Sequence, residues 1–211
     1  MPLQRDHGFF IPPCKIITTA EGGLATTQNQ KIAEAMNLAR SHGITRDPKL
    51  YENPNLGSWY YEQITLGFNY RMTELQAALG LTQMQRLTKI VDRRTAIAAR
   101  YDQILANFPV QLPIQAPSTG SSWHLYVIQV PQNYHSQIFD DLKTAGIGVN
   151  LHYIPVHTHP YYRSMGFKLG QFPNAESYYS KSISIPLYFG LDEKDQDRVC
   201  ATLEQSLLRI T

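Results

Sequence analysis

Three stretches of the chain hold side chains suited to chemistry. The first is Cys14-Lys15-Ile16-Ile17-Thr18-Thr19-Ala20-Glu21-Gly22-Gly23. A lysine here, followed by an apolar pair, hydroxyls, an acid and paired glycines, could hold a carbonyl cofactor as a Schiff base, because desolvation or nearby charge lowers an amine's pKa. The alternative is a solvated surface lysine. The second stretch is Gly67-Phe68-Asn69-Tyr70-Arg71-Met72, just before a helical pattern. Asn69 and Arg71 would suit a phosphate or carboxylate there, since free N–H groups and the helix dipole favour anions. Asn69 serving only to shape the turn fits equally well. The third is Asn150-Leu151-His152-Tyr153, followed by His157 and His159. Three histidines could suggest a metal, but no cysteine or acid accompanies them in the run. Hydrogen bonding to a polar ligand is the better reading. No GxSxG elbow supports a hydrolase, and Gly22-Gly23 is neither a dinucleotide fingerprint nor a phosphate loop.

The elements that must position these groups follow from patterning. Pro2, Pro12 and Pro13 make residues 1 to 14 irregular, and Lys15 to Thr27 reads as two short strands around a Glu21-Gly22-Gly23 turn. Asn29 caps an expected helix to Ser41, with Gly43 beyond its end. The polar stretch 45–63 is long for a structureless loop, so a function or a tether is expected. Thr73-Glu74-Leu75-Gln76 fits a capping box. Apolar spacing then continues to Phe108 as one long helix, or two joined by a kink. Pro109, Pro113 and Pro117 mark a domain boundary. Beyond it, strands at 123–130, 147–153 and 182–185 alternate with helices at 136–145, from Asn174 to Ser180, and after an Asp192 cap, where Val199, Leu203, Leu207 and Ile210 form the buried stripe. This order implies a small α/β layer domain.

Composition narrows the function classes. The 211 residues are 43% hydrophobic and carry a net charge of +2, too balanced for a nucleic-acid protein. The densest basic cluster, Arg93-Arg94, reads as a solvated helix face. No apolar run approaches the roughly 20 residues of a membrane span, and no signal-peptide pattern opens the chain. Cys14 and Cys200 make no disulfide framework, so a reducing, cytoplasmic setting is expected. The 13 tyrosines suit polar-ligand binding, or equally strands and an oligomer interface.

Taken in order, Lys15 with Thr18 to Gly23, Arg40-Ser41-His42-Gly43, Gly67 to Gly80, His124-Leu125-Tyr126, His152 to His157, and Ser184-Ile185-Pro186-Leu187 resemble the DegT/DnrJ/EryC1/StrS nucleotide-sugar aminotransferases. The Ile-Thr-Thr-Ala-Glu-Gly-Gly wording resembles in particular the transaminases of pseudaminic acid synthesis. The resemblance implies an α/β chain that is the C-terminal part of a fold type I transferase dependent on pyridoxal 5'-phosphate (PLP). Residues 15–108 would complete the large domain, with its long helix, and residues 118–211 would form the small domain. Lys15 matches the lysine that holds PLP and moves the proton of transamination. Asn69 matches an asparagine reaching across a homodimer to the neighbour's cofactor or substrate. Asn150, Leu151, His152 and Tyr153 match a substrate-contacting segment. Glutamate would be the amino donor, and a UDP-linked 4-keto-6-deoxy amino sugar the acceptor.

The chain also departs from the family pattern. Phe9-Phe10-Ile11-Pro12-Pro13-Cys14-Lys15 stands where the family has Ser-Phe-His-Pro-Val-Lys, and Phe10 replaces a phosphate-binding serine. Phe-His-Pro and Phe-Ile-Pro can be read from one nucleotide string in adjacent frames. Residues 1 to 14 are therefore expected to come from a shifted frame or a displaced start, an expectation that an intact upstream frame in the sequenced locus would sink. The family's acid for the pyridine nitrogen, its stacking aromatic and its phosphate loop precede the lysine. The chain alone is accordingly expected to have little or no transaminase activity. The alternative is a non-catalytic remnant that dimerises or binds nucleotide sugars.

Overall fold

The computed structural model describes residues 7–12, 15–53 and 56–209. Cys14 and Ile210 therefore lie outside the described residues. The chain divides into two compact units, Met1–Leu87 and Thr88–Thr211. The division falls one residue into the second long helix, whereas the sequence pattern places it at 109–117.

In the first unit, strand β1 (His7–Phe10) pairs antiparallel with β2 (Gly23–Thr26), with His7 opposite Thr26 and Phe10 opposite Gly23. This corrects the expectation of irregular chain through residue 14: Pro12, which has no N–H to offer a ladder, falls after the paired residues. It also moves Lys15 from a strand into the loop between β1 and β2. Helix α1 (Gln30–Arg40) starts where Asn29 Oδ1 accepts from the Lys31 and Ile32 N–H groups at 3.0 and 3.4 Å. Beyond its Ser41 cap the chain turns away at Gly43, whose φ is +69° and whose N–H returns to Leu38 O at 2.8 Å. A side chain at Gly43 would strike the Thr65 carbonyl, and one at Gly67 would strike the Gly43 nitrogen. Both glycines are therefore needed where the 65–67 segment crosses the end of α1.

Strands β3 (Ile44–Thr45) and β4 (Glu62–Gln63) pair antiparallel and enclose the long polar stretch. Its tether is Glu62, whose carboxylate accepts from Glu52 N at 2.8 Å and Asn53 N at 3.0 Å. The Glu52 N–H foremost holds that carboxyl below its ordinary pKa. Helix α2 (Glu74–Gln85) has both halves of the capping box: Gln76 N donates to Thr73 Oγ1 and Thr73 N to Gln76 Oε1. Arg86 interrupts the helical run, and α3 (Leu87–Leu105) follows.

The second unit also contains β5 (Tyr126–Gln129), α4 (His135–Thr144), α5 (Pro160–Ser164), α6 (Pro173–Tyr179), β6 (Ser182–Ile185) and α7 (Glu193–Leu208). β5 and β6 pair antiparallel, Tyr126 opposite Ile185 and Gln129 opposite Ser182. Single bridges extend this pair on each side, Gln111 to Gln129 and Asn150 to Ser184. The expected strand 147–153 contributes only the Asn150 bridge, and the Leu151 N–H that follows goes to Asn150 Oδ1 at 2.8 Å. The Pro-rich segment is likewise part of this unit's fold, since Gln111 and Gln129 exchange both backbone bonds at 2.8 and 2.9 Å.

The buried hydrophobic cluster lies wholly in this unit, from Ile97, Tyr101 and Leu105 of α3 to Val199, Leu203 and Leu207 of α7. The α7 stripe is as the spacing predicts, and Asp192 caps the helix by accepting from Asp195 N at 2.8 Å. Asn174 does not cap α6. That helix begins at Pro173, and Glu176 reaches back to the Phe172 N–H at 3.4 Å. The Arg93-Arg94 pair is not a solvated face: Arg93 donates to Leu191 O at 2.6 Å, and Arg94 is buried against two carbonyls. Among the described residues, no helix is long and apolar enough to cross a membrane.

Candidate active site

Lys15 sits half-buried in the 11–22 loop, its backbone N–H donating to Pro12 O at 3.2 Å. The loop is drawn shut at its base. Ile11 N donates to Gly22 O and Thr19 N to Ile11 O, each at 3.1 Å. Thr19 Oγ1 donates to Glu21 O at 2.8 Å, and Thr18 Oγ1 accepts from Ala20 N at 2.9 Å. Thr19 is 2% exposed. Helix α2 packs on this turn: Gln76 Nε2 donates to Glu21 O at 3.0 Å, and a side-chain carbon at Gly80 would lie 2.8 Å from Thr19 Cγ2. The Thr18–Gly23 and Gly67–Gly80 blocks, far apart in sequence, thus meet, and their glycines permit the approach.

Asn69 lies on the segment leading to α2. Its backbone bridges Ser41, and its Oδ1 accepts from Arg71 Nε at 3.0 Å. Both side chains are exposed. Asn69 therefore both shapes the turn and presents its side chain outward. Thr73 and Gln76 already serve the start of α2, which weakens the case for an anion bound by that helix end itself.

Lys15 and Asn69 belong to the first unit and Asn150 to Tyr153 to the second. Asn150 exchanges backbone bonds with Ser184, Ser184 N to Asn150 O at 2.9 Å and Asn150 N to Ser184 O at 3.2 Å. His152 Nδ1 lies 2.7 Å from Ser184 Oγ. Its ring meets Tyr153 edge-on, with centroids 4.7 Å apart, and Tyr153 is 71% exposed. Ile154 and Pro155 continue directly into a cleft of about 480 Å³ shared with Thr158, Leu169 and Glu176. Leu169 also borders a second cleft of about 570 Å³ lined by Arg163, Phe167 and Lys168.

His157 is not grouped with the other histidines. It is 7% exposed and donates from Nε2 to Glu176 Oε1 at 2.8 Å. Among the described residues, no group of three or more His, Cys, Asp or Glu is arranged for a metal. Glu176 also accepts from Gly170 N at 2.8 Å, which closes the loop between α5 and α6. The His157 bond, then the Gly170 and Phe172 N–H groups, hold its carboxyl below the ordinary value of 4.5. A depressed carboxylate pKa stabilises above the unfolded value and loses that contribution as pH falls through the folded one. Glu176→Gln should therefore flatten the loss of stability below pH 4.5 and speed amide exchange at Gly170. Denaturation across an acid pH series checks this, and identical slopes for the two proteins would contradict it.

Sequence reasoning passed over two side chains at the site. Ser184 entered only as the first residue of the Ser184-Ile185-Pro186-Leu187 match, and nothing in the sequence tied its hydroxyl to His152 in a strand buried on both faces. Glu176 gave no signal beyond its place three residues into a helix.

The residues present fit PLP at its amine end. Lys15, a half-buried residue, supplies a primary amine, while the Thr18 and Thr19 hydroxyls are engaged in closing the loop. Residues 8–204 match the DegT/DnrJ/EryC1/StrS aminotransferase family. The match begins inside the segment expected to fall outside the pattern. The spore coat polysaccharide biosynthesis protein SpsC of Bacillus subtilis is 38% identical over 192 residues, covering 88% of this chain and 49% of that protein. Among solved structures, Spr1654 from Streptococcus pneumoniae in its PMP form superposes with a TM-score of 0.87 at 29% identity, over 97% of this chain and 53% of that one. Helicobacter pylori PseC, an aminotransferase involved in the biosynthesis of pseudoaminic acid, gives 0.81 at 28% identity, over 92% and 51%. The chain thus spans about half the length of the relatives it matches and belongs to the DegT/DnrJ/EryC1/StrS aminotransferases, a PLP-dependent family of fold type I.

Proposed function

We propose that the chain carries the lysine and the substrate-contact segment of an aminotransferase that moves an amino group from glutamate to C4 of a UDP-linked 4-keto-6-deoxy amino sugar, in the cytoplasm and as a homodimer. The observation that carries this reading is Lys15, held half-buried in a loop closed at its base and backed by α2. PLP, when bound, supplies the electron sink for transamination. Lys15 would hold it through the side-chain amine and carry the proton between the two carbons that exchange it. The loop bonds of Thr18 and Thr19 fix the backbone from which that amine extends. Asn69 would serve the site of a neighbouring subunit, and Asn150 to Tyr153 would contact the sugar nucleotide. In this reading residues 15–108 complete the cofactor domain and residues 118–211 form the small domain.

A second reading, a non-catalytic dimerising or nucleotide-sugar-binding remnant, is favoured by the first unit's apolar surface. Leu66 is 89%, Leu75 86% and Trp59 79% exposed, and none of the buried hydrophobic cluster belongs to that unit. One experiment separates the two. The purified chain is incubated with PLP, reduced with borohydride and mapped by mass. A pyridoxyl adduct confined to Lys15, and absent from Lys15→Ala, is expected. Adducts spread over many lysines, or none, would favour the remnant.

A further inference from the structure

We infer that Ser184 is a positioning residue for His152, fixing the imidazole as a hydrogen-bond donor at Nε2 toward an oxygen of the sugar nucleotide. The inference rests on the proposed role of Asn150 to Tyr153 in substrate contact, and it adds a residue and a tautomer to that role.

Ser184 is 5% exposed in β6, beside Ile183 and Ile185, which are 0% and 3% exposed. Its backbone is committed on both sides, to Val127 in the β5 ladder and to Asn150 through two hydrogen bonds. The hydroxyl is therefore carried on a rigid strand and cannot drift. Its recorded partner is His152 Nδ1, at 2.7 Å. A hydroxyl brings one proton and two lone pairs, and a buried hydroxyl proton left without an acceptor costs free energy, so the acceptor within reach is favoured. Nδ1 is that acceptor, so Ser184 donates and the ring proton resides on Nε2. The hydrogen bond made by one imidazole nitrogen sets the state of the other. Nδ1 faces the strand that carries Ser184, and the ring proton lies across the imidazole at Nε2.

Ser182 supplies an internal contrast. It is 3% exposed on the same strand, yet its hydroxyl has no hydrogen-bond partner among the described residues. A buried serine in β6 is thus not in itself a positioning device. What distinguishes Ser184 is that the Asn150 bridge brings the His152 segment alongside it.

Two readouts test the inference. Long-range proton–nitrogen NMR of the His152 ring reports which nitrogen is protonated. The chain should show the Nε2-protonated form, Ser184→Ala a mixture of tautomers, and Ser184→Thr and Ser182→Ala the original form. The threonine variant keeps the hydroxyl, and the Ser182 variant controls for cavity effects in the strand. Binding of UDP-N-acetylglucosamine is measured beside UDP alone. Ser184→Ala should weaken the sugar nucleotide about tenfold, equivalent to about 1.4 kcal/mol, with Ser184→Thr restoring most of it. His152→Ala combined with Ser184→Ala should lose no more than His152→Ala alone. An equal loss for UDP would place the contact on the nucleotide rather than the sugar and would still support the donor. An unchanged tautomer in Ser184→Ala overturns the inference outright. A shifted tautomer with His152→Ala binding both ligands normally sustains the positioning and overturns the substrate-contact reading.

Discussion

Tyr126→Ala is expected to destabilise the second unit by about 3–5 kcal/mol, the range for removing a large buried aromatic. Tyr126 is 0% exposed at the start of β5. Its ring lies between those of Tyr101 and Trp123, at centroid distances of 5.0 and 5.8 Å. Tyr101 is equally buried and donates its own hydroxyl to Pro186 O at 2.9 Å. Tyr126 therefore joins α3 and the strand pair at one point. Its hydroxyl donates to Asp102 Oδ1 at 2.5 Å. Burial foremost, with Asp102 adding, raises its pKa well above the usual phenol range, so it remains a donor at every ordinary pH. Tyr126→Phe keeps the ring and removes the hydrogen bond to the carboxylate, and should cost about 1.5–3 kcal/mol. Urea denaturation of both variants measures the pair of values. A cost for Tyr126→Ala near that of Tyr126→Phe would mean that the ring is not packed as described. The outcome also bears on the site, because β5 is the partner against which β6, and with it Ser184, is held.

How much of this was legible in the sequence depended on how local the cause was. The caps at Asn29, Thr73 and Asp192 were readable because donor and acceptor lie within four residues, and the structure has all three. Strand β1 was not readable. Its pairing with β2 closes over the 11–22 loop, and two prolines close by argued against any element. The expected strand at 147–153 is reduced to the Asn150 bridge, and the next backbone N–H goes to the Asn150 side-chain oxygen instead of a ladder. Lys15, Asn69 and the Asn150–Tyr153 run stood out through their motif wording, and the structure adds how each is held. Ser184 needed the register of the Asn150 bridge before its hydroxyl acquired a meaning.

Arg94 is the sharpest instance of a group whose setting the pattern misreads, and its replacement is expected to cost about 2–4 kcal/mol. Next to Arg93 in a helix it looks like part of a charged face. In the structure it is 8% exposed, donating from Nε to Trp123 O and from Nη2 to His124 O, both at 2.8 Å. Those carbonyls precede β5, in a stretch where Trp123 has a positive φ of 51°. One planar guanidinium thus fastens the entry of the strand to α3. No carboxylate is among these partners, and burial lowers the guanidinium pKa from its ordinary value. The group still remains charged across the working range, since an arginine starts far above it. Arg94→Ala strands two carbonyls and removes the packed stem, each unsatisfied group costing about 1–3 kcal/mol with partial relief from water. Arg94→Lys should recover less than half, because a single ammonium cannot reproduce the fork that meets two neighbouring acceptors. Arg94→Met should resemble Arg94→Ala if the hydrogen bonds dominate, and the native protein if the stem does. Because no carboxylate titrates in this contact, the loss should be the same at pH 6 as at pH 8. Denaturant midpoints at the two pH values, with amide exchange at Tyr126 to Gln129, give the test. A loss below about 0.5 kcal/mol, the scale of ordinary surface changes, would return Arg94 to the solvated face that its neighbours in sequence suggest.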